Sequence, residues 1–150
     1  MQTQAEIEFV TVLIADQLFG LPISRVHDVF MVDRLTRVPL APPEIAGILN
    51  LRGRVVTTID MRRRLDLPPR EEGRGNMAVG IEQRGESYGL LIDSVGEVLK
   101  IPAASREPNP VNLDPRWLLV ANGVVQLDGR LMVVLDVDRV LELKTLELAA

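Results

Sequence analysis

Three groups of residues in this 150-residue chain have types and spacing that could do chemistry. Gly85-Glu86-Ser87-Tyr88-Gly89 matches the G-x-S-x-G pattern, in which a serine on a sharp turn attacks an acyl carbon. His27 beside Asp28 could offer an imidazole and a carboxylate to a proton or a metal ion. Arg62-Arg63-Arg64, with Arg70 and Arg74 beyond, could hold phosphate or another anionic surface. Each reading meets an obstacle in its surroundings. The nucleophile pattern requires a strand-to-helix turn and a histidine downstream, whereas Ser87 falls between two strand-like runs and the only histidine lies upstream. One histidine and one carboxylate leave a metal site of nitrogen-ligand type incomplete, and with no cysteine there is no thiolate to add. The arginine run is diluted by Glu71-Glu72, and helical spacing puts its arginines on a solvated face. The expectation is no catalytic residue, no metal and no cofactor.

Composition narrows the remaining classes. A formal net charge of −4 gives no field that would draw nucleic acid, and aromatic residues at 3% are too few for a base-stacking platform. Hydrophobic residues at 47% and charged residues at 25% suit one globular domain with an aliphatic core. Met1–Glu8 carries two glutamates and no basic stretch, which argues against a signal peptide. Apolar runs such as Val10–Ala15 fall far short of the ~18 residues that cross a bilayer. A soluble, intracellular protein is expected.

The elements that must position any site are repeated. Phe19-Gly20-Leu21-Pro22-Ile23-Ser24-Arg25-Val26-His27-Asp28-Val29 reappears as Tyr88-Gly89-Leu90-Leu91-Ile92-Asp93-Ser94-Val95-Gly96-Glu97-Val98. Gly47 to Asp60 then corresponds without a gap to Gly123 to Asp136, in the same order. Each copy reads as a hairpin, a connecting segment and a second hairpin, with Gly53 and Gly129 supplying the positive φ of a tight turn. Asp60 and Asp136 stand where the N-caps of short helices over Met61–Leu67 and Val137–Leu143 would be. The first module spans about 9–67 and the second about 77–143, joined by a Pro/Gly-rich linker and interrupted by an irregular loop over 102–115. The fold class is all-β: two small, similar β-barrels with short helices.

Positions shared by both copies serve the fold, so function is better sought where the copies differ in charge. Asn50 and Arg52 become Gln126 and Asp128, which shows that the turn itself does not need an arginine. These residues lie in Gly47-Ile48-Leu49-Asn50-Leu51-Arg52-Gly53-Arg54-Val55-Val56-Thr57-Thr58-Ile59-Asp60-Met61-Arg62, a run that resembles the signature of the CheW family, the coupling proteins of bacterial chemotaxis. The resemblance extends from about Phe9 to Leu143. Thr57-Thr58 depart from it, standing where the family often has proline and an apolar residue.

That resemblance implies two intertwined five-stranded SH3-like barrels and no catalysis. It implies an adaptor linking the cytoplasmic tips of methyl-accepting chemoreceptors to the regulatory domain of a CheA-type histidine kinase. The protein would then be cytoplasmic, at receptor arrays on the inner face of the membrane, and associated with the membrane only through receptors. By motif position, Val26, Asp28, Gly47, Asn50 and Arg52 would line or support the receptor groove between the barrels. Ser105-Arg106-Glu107-Pro108 resembles a loop near a kinase contact, which makes Arg106 the candidate there. A scaffold of a non-flagellar chemosensory pathway, controlling twitching or a second messenger, would use the same surfaces. A detached regulatory module of a kinase is the other alternative, although neither a kinase nor a receiver segment is visible.

Overall fold

The computed structural model describes residues 5–69 and 77–142. The Arg70–Asn76 part of the expected linker, with Glu71, Glu72 and Arg74, lies outside the described residues, as does Leu143. The first repeat forms β1 (Glu6–Ile14), β2 (Gln17–Pro22), β3 (Val26–Met31), β4 (Ile45–Leu51), β5 (Arg54–Asp60) and the short helix α1 (Met61–Arg64). The second forms β6 (Met77–Gln83), β7 (Glu86–Ile92), β8 (Ser94–Pro102), β9 (Arg106–Glu107), α2 (Pro115–Leu118), β10 (Ala121–Leu127), β11 (Arg130–Leu135) and α3 (Val137–Val140).

Neither repeat makes a sheet of its own. One sheet has the order β8-β1-β2-β11-β10-β9 and the other β3-β6-β7-β5-β4, so each repeat gives its first hairpin to the sheet built mainly by the other. The repeats meet along four ladders, the parallel pairs β2–β11 and β5–β7 and the antiparallel pairs β1–β8 and β3–β6; every ladder within a repeat is antiparallel. This exchange is the intertwining that the family resemblance implied. The sixth strand of the larger sheet is the tail of another. After β8 the chain bends through a single 3-10 turn at Ala103–Ser105, and β9 then pairs with β10 on the opposite edge, closing the sheet into a barrel. In the other sheet a single bridge, Thr36 to Ile48, does the same. Part of the loop expected to be irregular over 102–115 is therefore a closing strand.

The hairpin turns follow their sequences. Arg52-Gly53 and Arg84-Gly85 both have positive φ at both central positions, the conformation whose twist matches paired strands. Ala15-Asp16 adopts it without glycine, and the Ala15 N–H donates to Asp93 Oδ2 at 2.8 Å. In the Asp128-Gly129 turn only the glycine has positive φ. Asp60 and Asp136 cap α1 and α3 as expected, accepting from the N–H of Arg62 and Arg139.

Strands buried on both faces explain the continuous apolar runs. On β7, Tyr88, Leu90 and Ile92 face the core between the sheets, with Phe19, Ile59, Ile81 and Leu135, while Leu91 joins Val32 and Ala78 inside its own barrel. The other barrel is filled by Phe9, Val125, Met132 and Val134. Thr58 is wholly buried, and its hydroxyl has no hydrogen-bond partner among the described residues. The equivalent residue of the other copy is Val134.

The arginine run does not lie on a solvated face. Arg62 Nε and Nη2 fork onto the two oxygens of Asp93, and its Nη1 reaches the Pro68 carbonyl. Arg64 donates to the carbonyls of Val140 and Arg139 at the end of α3, and burial lowers its pKa. Only Arg63 is exposed. A four-residue helix set into the seam between sheets has no free face to give all three. On the same seam, the Trp117 indole donates to the Leu65 carbonyl and packs edge-on to Phe19, with ring centroids 5.4 Å apart. Beside it Arg116 forks onto Asp114 and reaches Asp66 Oδ2 at 2.6 Å.

Two outcomes follow. Thr58→Val should raise stability by about 1 kcal/mol, because it removes a buried hydroxyl without a partner at nearly constant volume; a urea midpoint that falls would refute this. The hydrogen bonds from Arg116 hold the Asp114 carboxyl down at about 2, below its ordinary value. A depressed folded value means that its stabilisation is complete above the unfolded value of about 3.9 and is lost as pH falls toward 2. The melting-temperature gap between wild type and Asp114→Asn, followed by Trp117 fluorescence, should be constant above about pH 5 and shrink between pH 4 and 2.

Candidate functional site

A cleft of about 170 Å³ opens at the mouth of the β3-β6-β7-β5-β4 barrel. Asp28 and Phe30 of β3, Arg52 and Arg54 of the β4–β5 turn, Glu82 of β6 and Tyr88 of β7 are among the residues that line it. Two of the residues expected from motif position, Asp28 and Arg52, thus reach one concave surface from elements far apart in sequence. Among the described residues neither side chain makes a hydrogen bond or ion pair. Around them the charges are matched loosely. Arg54 lies 3.8 Å from Glu82 with both side chains about half exposed, a pair worth little in water. Burial, with the Glu86 carboxylate beside it, pushes the Tyr88 phenol above its ordinary pKa.

The other expected residues are placed differently. β3 carries a bulge: Val26 pairs with Ile81 and Asp28 with Gly80, two steps on one strand against one on the other. The extra residue, His27, turns Val26 toward the core between the sheets, whereas Asp28 faces the barrel mouth. Without the bulge both would share a face. Gly47 is buried on β4, where an added Cβ would sit 2.7 Å from the Thr36 carbonyl oxygen at the bridge that closes the barrel. Gly123 meets the Glu107 carbonyl in the same way, at 2.6 Å, so this close approach is a property of the fold shared by both halves. Asn50 is exposed, and its Oδ1 accepts the Gly53 N–H at 2.9 Å across the turn. Arg106 belongs to the other barrel. It lies exposed on β9 in a shallow depression with Glu107, Asn109 and Arg139.

The cleft also contains residues that motif matching did not single out. Glu82, Phe30 and Gly80 line it, and the pairing of β3 with β6 is what brings them there. The signal available in the sequence was the glycine at position 80 inside an apolar strand, a position that often marks close approach. Ser87 and His27 both border the cleft, yet no hydrogen bond joins them among the described residues. Ser87 stands within β7, paired with Glu82 and Val56, and not on a strand-to-helix elbow. Among the described residues no group of three or more His, Asp or Glu could hold a metal ion, and no helix is long and apolar enough to cross a membrane.

Comparison with known proteins fits this geometry. The chain is similar to the chemotaxis protein CheW of Bacillus subtilis, 27% identical over 124 residues that cover 83% of this chain and 80% of that one. It is similar to the protein FrzA of Myxococcus xanthus, 32% identical over 133 residues that cover 85% and 79% of the two chains. The crystal structure of the scaffolding protein TtCheW from Thermoanaerobacter tengcongensis superposes with a TM-score of 0.84 at 28% identity, covering 93% of this chain and 95% of that one. The CheW-like domain matches residues 8–145. With the exchanged hairpins and the closing bridges already described, this coverage decides the matter: the chain belongs to the CheW-like domain family.

Proposed function

We propose that this chain is a non-catalytic adaptor of bacterial chemotaxis signalling, which binds the cytoplasmic tip of a methyl-accepting chemoreceptor and the regulatory domain of a CheA-type histidine kinase. It acts in the cytoplasm, at receptor arrays on the inner face of the membrane, and takes no cofactor. The observation that carries the reading is the cleft, where the side chains of Arg52 and Asp28 have no partner among the described residues. A guanidinium with its donors free can pair with a carboxylate and stack on an apolar neighbour, which is why arginine is enriched at the centre of interfaces. Asp28 adds the opposite charge within the same concavity and so fixes the orientation of whatever binds.

Coupling follows from the construction. A receptor that changes conformation changes its contacts with one face, and a kinase bound on another face responds through linkage. The two barrels share one core and exchange hairpins, so a load on one is carried to the other through strands and not through a flexible hinge. Arg106 on β9 is the candidate for the kinase face, and Val26, Gly47 and Asn50 support the receptor face from beneath. Arg52→Ala should weaken binding of a chemoreceptor cytoplasmic fragment about tenfold or more, and leave binding of a CheA regulatory domain within about twofold. Titration calorimetry with both partners decides this. If neither partner binds the well-folded wild type, the adaptor reading is wrong for this chain.

A further inference from the structure

We propose that Asn50 and Gly80 are positioning residues of the cleft: Asn50 braces the turn from which Arg52 presents its guanidinium, and Gly80 leaves the notch in which the Asp28 carboxylate lies. This rests on the reading of the cleft as a contact surface. Arg52 has φ 52°, a region that residues with a Cβ rarely adopt. The Asn50 amide oxygen accepts the Gly53 N–H and so ties the two ends of that turn together. The left-handed pair does not itself require that bond, since Arg84-Gly85 adopts it with Glu82 at the equivalent position; what the bond adds is a brace across the turn that carries Arg52. In the second copy Gln126 replaces Asn50 and no such brace is made among the described residues. Gly53 is needed for its own φ of 81° and not for space, since nothing lies within 4 Å of the place of its Cβ.

Gly80 answers the opposite need. It lies inside β6 without positive φ, so the strand conformation does not call for glycine. A Cβ built there would overlap Asp28 Oδ1 and lie 3.4 Å from Phe30 Cε1. The second copy again shows the contrast. Thr11 occupies the place of Gly80, its hydroxyl donates to the Glu97 carbonyl at 2.6 Å, and the Glu97 side chain that corresponds to Asp28 is exposed. In one barrel the space is filled from β1, in the other by a carboxylate from β3. A glycine at position 80 is what allows the second arrangement.

The test is a pair of double-mutant cycles, read by titration calorimetry against a chemoreceptor cytoplasmic fragment and a CheA regulatory domain. For the partner whose binding Arg52→Ala and Asp28→Ala weaken, Asn50→Ala should weaken binding about fivefold, and under twofold in the Arg52→Ala background. Asn50→Asp keeps an acceptor oxygen and should stay within about twofold of wild type. Gly80→Ala should weaken binding about fivefold, and only when Asp28 is present; the displaced atom is the end of a flexible side chain, so melting temperature should barely change. Losses that persist undiminished in the Arg52→Ala and Asp28→Ala backgrounds overturn the proposal. Two readouts on the free protein keep it separate from the adaptor reading. Asn50→Ala should speed exchange of the Gly53 amide about tenfold, with Asn50→Asp restoring it, and Gly80→Ala should move the Asp28 carboxyl carbon resonance. If neither changes, positioning is wrong whatever the partners do. If both change while Arg52→Ala and Asp28→Ala leave both partners bound, positioning stands and the contact reading of the cleft fails.

Discussion

The carboxylate of Asp93 sits where the chain leaves one sheet for the other, between β7 and β8, and three separate segments depend on it. Its oxygens accept the forked guanidinium of Arg62 in α1 and the N–H of Ala15 in the β1–β2 turn. Arg62 in turn holds the Pro68 carbonyl at the start of the linker. The pair is only partly exposed, at 18% and 23% of the side-chain surface, so it acts with less screening than a surface bridge. A chain that exchanges hairpins must cross between sheets in each half, and each crossing exposes backbone that no sheet ladder can pair. Asp93 answers that demand at one crossing. At the other, between β2 and β3, the polarity is reversed: Arg25 lies 2.9 Å from Asp138 of α3, which also accepts from Gln83 in the β6–β7 hairpin. The two crossings thus carry ion pairs of opposite polarity on corresponding elements.

That constraint shapes the site. Because the first hairpin of each repeat is given away, β3 finds its neighbour in β6 of the other repeat, and the cleft is assembled from both halves of the chain. Asp28 on β3 and Arg52 in the β4–β5 turn, whose side chains have no partner among the described residues, are placed by a bulge on β3 and by a turn capped through Asn50. The other barrel has the same bulge on its β1–β8 ladder, but there Glu97 stands in place of Asp28 and Asp128 in place of Arg52, and no bond like that of Asn50 is made among the described residues. The two halves share the frame, and a handful of positions distinguish their mouths: Asp28, Asn50, Arg52 and Gly80 in one, Glu97, Gln126, Asp128 and Thr11 in the other.

Much of this was legible in the residues. The repeat, the turn glycines at 53 and 129, the capping aspartates and the aliphatic strands are local or periodic signals, and local physics enforces them. Thr58 shows the limit of pattern reading: a threonine suits a strand, yet only the closed barrel reveals that its hydroxyl is sealed from water. The arginine run misleads for a similar reason. Helical spacing says which residues share a face, but not that α1 is so short and so deeply set that Arg62 and Arg64 become struts between sheets.

The sequence by itself determined the strands, the turns, the family and the charged residues that distinguish one copy from the other. It did so because backbone preferences and apolar periodicity act over a few residues. Only the tertiary structure decided which strand pairs with which, that Val26 turns to the core while Asp28 turns to the cleft, and that Gly80 makes room for a carboxylate more than fifty residues earlier in the chain. Those facts depend on a hairpin exchange that brings distant strands into register. No local propensity encodes it, since the same strand could satisfy its hydrogen bonds equally well within its own repeat.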